Sequence, residues 1–136
     1  MNIRITEEQR RVPVTVLGLE GQLDASNYLE VIERVKALYD AGTRDLLLDL
    51  SDLSFMGSSG LVALHGIALI LRGEMPADPE QGWGAFHALA KDREGGVQAH
   101  CKLLNPQPPV ARVLQITGFG AFLEVFADRE IALAAF

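Results

Sequence analysis

LLLDLSDLSFMGSSG, residues 46–60, decides how this chain is read, because the apolar run LVALHGIALIL (61–71) follows it without a break. Leu46, Leu47, Leu48 and Leu50 around the single Asp49 predict a central strand, since a strand buried on both faces loses the polar alternation of a surface strand. Residues 61–71 have helix length instead, and Ser58, Ser59 and Gly60 stand where a helix must satisfy its free N–H groups. Two hydroxyls are thereby presented at the positive end of a helix dipole, just past a strand, a place that favours an anion or a phosphate.

Upstream, residues 3–6 read as a short strand, Arg10 and Arg11 mark a turn, and residues 12–20 alternate as a second strand. Val12, Val14 and Val16 share one face of it, and Thr15, Leu17 and Leu19 the other. Pro13 suits an edge or the first residues of a strand. Gly21 breaks the run, and Asp24 or Ser26 can cap a helix over residues 27–41, where Tyr28, Val31, Ile32, Val35, Leu38 and Tyr39 recur at helical spacing. Gly42 is its natural stop. Strand, helix, strand, helix predicts parallel strands joined by a right-handed crossover. Downstream, residues 98–104 read as a strand, Pro108 and Pro109 open a helix over 110–117 that Gly118 closes, residues 123–126 make a last short strand, and Asp128 caps a final helix ending at Phe136.

Between Leu61 and Leu71 only His65 is polar, so this helix is apolar on nearly all sides and one sheet face cannot cover it. The candidate cover is residues 73–97, GEMPADPEQGWGAFHALAKDREGGV, punctuated by Pro76, Pro79, Gly82, Gly84, Gly95 and Gly96, with a short helix over 85–93. It reads as a surface excursion, or as a flap that lays Trp83 and Phe86 over the helix. A second copy of the chain, as a homodimer, would serve the same need.

The 136 residues are one domain by length, with 49% apolar and 22% charged residues. A net charge of −6 with no basic run argues against a nucleic-acid partner. The N-terminus lacks the apolar segment of a signal peptide and residues 61–71 are too few to span a bilayer, so a cytoplasmic location is expected. One cysteine, Cys101, excludes an internal disulfide and a cysteine-rich zinc site. A metal site from His87, His100 and Cys101 is disfavoured because adjacent strand residues point to opposite faces. A hydrolase elbow, Gly-x-Ser-x-Gly, would need glycine at Leu61, and His65 lies two helical turns, about 10 Å, from Ser58. Without a lysine-bearing glycine-rich loop, nucleotide binding has no motif either. The expectation is a protein that is not an enzyme and takes no cofactor or metal.

DLSDLSFMGSSG (49–60) resembles the signature of the STAS family, the sulfate transporter and anti-sigma-factor antagonist domain: an apolar strand, Asp-Leu-Ser, then Asp-Ser-Ser/Thr-Gly leading into a helix. GQLD (21–24) is similar to the family's Gly-x-Leu-Asp before its first helix, and VARVLQITGF (110–119) to its penultimate helix. The resemblance implies an α/β domain with a mixed four- to five-stranded sheet and helices mainly on one face, residues 73–97 being an insertion. It implies an anti-sigma-factor antagonist in a partner-switching circuit, its partner an anti-sigma factor that is also a serine kinase, its phosphoacceptor Ser58, and its partner-binding loop Asp24, Gly57, Ser58, Ser59 and Gly60. Gly57 departs from the family, which has an acidic residue there. Beside these roles stand plainer ones, Ser58 and Ser59 as helix caps and Asp24 as the cap of the first helix. Some members of the family are instead unphosphorylated binding modules or subunits of larger assemblies, as in lipid transport.

Overall fold

β1 (Asn2–Gln9) and β2 (Pro13–Leu23) form an antiparallel hairpin, and every later strand joins the sheet parallel to its neighbour. The structure, a computed structural model, describes residues 1–74 and 97–136. The remaining elements are α1 (Tyr28–Asp40), β3 (Leu46–Asp49), β4 (Leu53–Met56), α2 (Ser58–Leu71), β5 (Cys101–Leu104), α3 (Pro108–Thr117), a 3-10 turn (Phe119–Ala121), β6 (Val125–Phe126) and α4 (Arg129–Ala134). The sheet runs β1-β2-β3-β5-β6, with β4 beside β2.

The sheet thus has six strands, one more than the sequence suggested, and the extra one is β4. β2 is long enough to host two partners in succession: Thr15 to Gly18 face β3, and beyond a register shift at Gly21 its last residues face β4. Gly21 does not end the strand, as expected, but bulges it, with φ at +110° where glycine is at ease.

The period-two pattern of β2 sorts the core. Leu17 and Leu19, with Leu46, Leu48, Cys101 and Leu103, pack against α1, α2 and α3 and against Phe119 and Phe122. Val14, Val16, Leu47 and Leu104 face the other way, onto Ala132 and Leu133 of α4. Among the described residues three helices lie on one face and a short one on the other, in line with the expectation of helices mainly on one face. Eleven of the fourteen residues of α2 are buried, and α1 packs along it, as its all-round apolar sequence requires. The proposed cover by Trp83 and Phe86, and the short helix over 85–93, lie outside the described residues.

Helix ends follow the sequence where proline, glycine or Asp128 sets them. α3 begins on Pro108 and closes at Gly118, which is left-handed at φ +74°. The Asp128 carboxylate accepts a hydrogen bond from the Ile131 N–H at 3.0 Å. α1 departs from expectation: neither Asp24 nor Ser26 caps it, because Asn27 occupies the cap position.

Cys101 is buried in the main core, and burial pushes its thiol up to about 12, with nearby Lys102 opposing. The unfolded chain releases this proton near pH 9 and the folded chain holds it, so the thiol's contribution to stability is complete below pH 9 and is lost between 9 and about 12. Urea titrations should show wild type losing stability relative to Cys101→Ala across that window, by about 1.4 kcal/mol per pH unit. Parallel pH profiles for the two proteins would contradict this.

Candidate functional site

Two turns meet at the C-terminal ends of β2 and β4. The Gly57 N–H donates to the Leu23 carbonyl at 2.9 Å, and Leu23 and Met56 are register partners. The residues that follow each strand, Asp24 on one side and Gly57 to Gly60 on the other, are therefore brought together at one edge of the sheet.

α2 starts one residue earlier than a serine cap would allow. Gly57 is the cap, extended at φ −86° and ψ −178°, and Ser58 and Ser59 are the first two helical residues. This corrects the capping role. Among the described residues neither hydroxyl holds a hydrogen bond. Ser58 is exposed, Ser59 half-buried and Gly60 buried, so burial ranks Ser58 as the more accessible hydroxyl. No acidic residue lies in the first turn of α2, so that turn supplies no carboxylate of its own to the positive end of the dipole.

The opposite turn is fastened by side chains. The Asp24 carboxylate accepts hydrogen bonds from the Ser26 hydroxyl at 2.5 Å and the Ser26 N–H at 2.9 Å. Those bonds stabilise the ionised form and hold its pKa below the usual carboxylate range. Asn27 completes the turn, accepting from the Asp24 N–H at 3.0 Å and donating to the Gln22 carbonyl at 2.7 Å. Asp24 is thus a turn-former beside the Ser58 turn.

Several residues that build the site escaped the sequence reading. Asp49 accepts from the Ser51 N–H at 3.0 Å and the Ser51 hydroxyl at 2.6 Å, and Gln107 donates to the Ser51 carbonyl at 2.8 Å. This turn bends the chain out of β3 and lets it rejoin β2 as β4, which aims Gly57 and Ser58 past the sheet. The signal was present, since Asp-x-Ser is the spacing of a side-chain-closed turn. Phe55, 47% exposed, flanks the Ser58 turn, and nothing in its sequence marked it as a surface aromatic.

Gly57 has room for a side chain. A Cβ there would stand 3.5 Å from the Phe55 ring and 4.0 Å from the Leu23 carbonyl, ordinary contacts, on a backbone any residue adopts. Gly57→Asp should therefore fold, and its carboxylate would accept from the free N–H groups of the first turn. We expect a stabilisation of a few tenths to about 1 kcal/mol, read as a higher melting temperature; a lower one would mean that the turn cannot hold the side chain.

The two described histidines lie elsewhere, and His87 is outside the described residues. His65 is buried, its ring 5.9 Å from that of Phe122. His100 pairs with Asp45 at 2.8 Å at the N-terminal ends of β3 and β5, the opposite end of the sheet from Ser58. Neither is placed to draw a proton from the Ser58 hydroxyl. Among the described residues no helix is long and apolar enough to cross a membrane.

The family model described as STAS domain matches residues 4–73. A Bordetella bronchiseptica protein named for an anti-sigma factor antagonist, BtrV, is 28% identical over 118 residues, 87% of this chain and 82% of that protein. The crystal structure of an anti-sigma factor antagonist from Mycobacterium paratuberculosis superposes with a TM-score of 0.63 at 19% identity, covering 98% of this chain and 93% of that one. The anti-sigma factor antagonist SpoIIAA matches in its unphosphorylated form, with a TM-score of 0.61 at 22% identity over 97% of this chain and 93% of that one. The Bacillus SpoIIAA in its phosphorylated form matches with a TM-score of 0.54 at 22% identity over 97% and 96%. At these identities the solved structures establish likeness of fold.

Proposed function

Because this chain belongs to the STAS domain family, we propose that it is an anti-sigma factor antagonist, a non-catalytic switch that binds an anti-sigma serine kinase through the Ser58 turn and α2 and is released when Ser58 is phosphorylated. The observation that carries this reading is the exposed Ser58 on the first residue of a buried helix, its hydroxyl holding no hydrogen bond among the described residues. A kinase can reach that hydroxyl, and the helix dipole tolerates the phosphate once formed. The relatives named for anti-sigma factor antagonists, and SpoIIAA with its phosphorylated form, support the same role. We place residues 1–136 in one cytoplasmic domain, with residues 73–97 as its insertion.

Binding is expected to centre on Asp24 and residues 57–60, with Phe55 as the aromatic flank. Amide hydrogen exchange with and without the anti-sigma kinase tests this. Protection at residues 22–27 and 53–62 is the expected result, and protection confined to the opposite end of the sheet would overturn the proposal. Gly57, where the family has an acidic residue, favours a second reading, a binding module or assembly subunit in which Ser58 stays unmodified. That module would hold a stoichiometric partner in all growth conditions and carry no phosphate.

A further inference from the structure

We propose that β1 is the docking edge for a second copy of this chain, pairing antiparallel with its counterpart about Thr6. β1 closes the sheet on one side and keeps register with β2 from Asn2 opposite Glu20 to Gln9 opposite Pro13, with no bulge. It contains no proline, and six of its eight residues are exposed. A straight strand of this length offers a row of backbone donors and acceptors along its outer edge, and Ile5, 38% exposed, stands on it.

Edge strands commonly carry charges that discourage pairing. The charges of β1 are self-complementary instead. In an antiparallel pair about Thr6, Arg4 faces Glu8 of the second copy, twice, because the two are four residues apart on one face and symmetric about Thr6. Thr6 faces Thr6, and Ile5 is covered by the stem of Glu7. Centred on Ile5, the pair would set Arg4 against Thr6 and leave the ion pairs unmade, so charge selects the register. Within one copy Arg4 pairs with Asp52, and Glu8 with Arg10 and Arg129. These are partly exposed pairs, worth little singly, and a carboxylate can accept from more than one cation. Because pairing reverses the strand, the two Ser58 turns come to lie at opposite ends of the joined sheet, both open. The dimer is therefore independent of the switch proposed above.

Sedimentation of the full chain tests the edge, with Arg4→Glu, Glu8→Arg and an equimolar mixture of the two variants, each checked for folding by its melting curve. Wild type should be dimeric. Each variant alone sets like charges against each other twice and should dimerise about tenfold or more weakly. In the mixture both cross-strand pairs again join opposite charges, and the dimer should return. A wild type that stays monomeric at high micromolar concentration, variants that dimerise as tightly as wild type, or a mixture of folded variants that remains monomeric would each overturn the proposal.

Discussion

Phosphorylation of Ser58 is expected to leave the fold standing and to weaken binding of the anti-sigma kinase by about a hundredfold or more. The two halves of this expectation have separate causes. The fold is spared because Ser58 is exposed at the first position of α2, with no acidic residue in that turn; a phosphate there gains about 0.3–1 kcal/mol from the dipole. Binding suffers because about 1.5–2 negative charges appear on a surface that must shed water to dock. Each 1.4 kcal/mol of unfavourable desolvation or repulsion is a factor of about ten, so a penalty of about 3 kcal/mol suffices. Calorimetric titration of the kinase with unmodified chain, phosphorylated chain and Ser58→Asp should show strong binding, loss, and an intermediate weakening. Melting temperatures should be level or slightly raised; a marked fall on phosphorylation would show that the hydroxyl is needed by the core.

The second large effect lies two residues on. Helix glycines usually gain stability when replaced by alanine, by about 0.8–1 kcal/mol of propensity. Gly60 should do the opposite. A Cβ on it would fall 2.5 Å from the Met56 Cγ and 3.2 Å from the Leu23 side chain, both residues buried. The start of α2 is seated directly on the ends of β2 and β4, and only a bare Cα fits. Overpacking of this kind costs about 1–3 kcal/mol, so Gly60→Ala should lose about 1 kcal/mol net and Gly60→Val about 3 kcal/mol or more. Met56→Ala in the Gly60→Ala background should recover part of the loss, a coupling of about 0.5–3 kcal/mol between touching residues. Additive losses, or a Gly60→Ala protein that melts higher than wild type, would mean that the seat is looser than the geometry states. The same close seating fixes the angle at which Ser58 leaves the sheet.

Much of this was legible in the sequence, and for physical reasons. Leu46 to Leu48 lack alternation because β3 is covered on both faces, and α2 is apolar all round because eleven of its residues are buried. Gly118 and Asp128 each announced a helix end by chemistry that acts within a few residues. What escaped depended on contacts distant in sequence. β4 is four residues long and exists because the far end of β2 is there to pair with it. Gly60 looked like a helix-start glycine; its true constraint comes from Met56 and Leu23. The serines looked like caps, but Gly57, whose N–H bonds the Leu23 carbonyl at the strand end, takes the cap position and Ser58 is already helical. Asp24 yielded the cap position to Asn27, three residues on, and its carboxylate closes a turn on Ser26 instead. The five residues expected to form the partner-binding loop all lie in the two neighbouring turns.

The most direct test of the switch is the intact mass of the chain purified from its native cells, with and without phosphatase, beside Ser58→Ala expressed in the same cells. A fraction heavier by one phosphate is expected, abolished both by phosphatase and by the substitution, and changing in abundance with growth or stress. A single unmodified mass under every condition, or a phosphate that persists in Ser58→Ala, would contradict it.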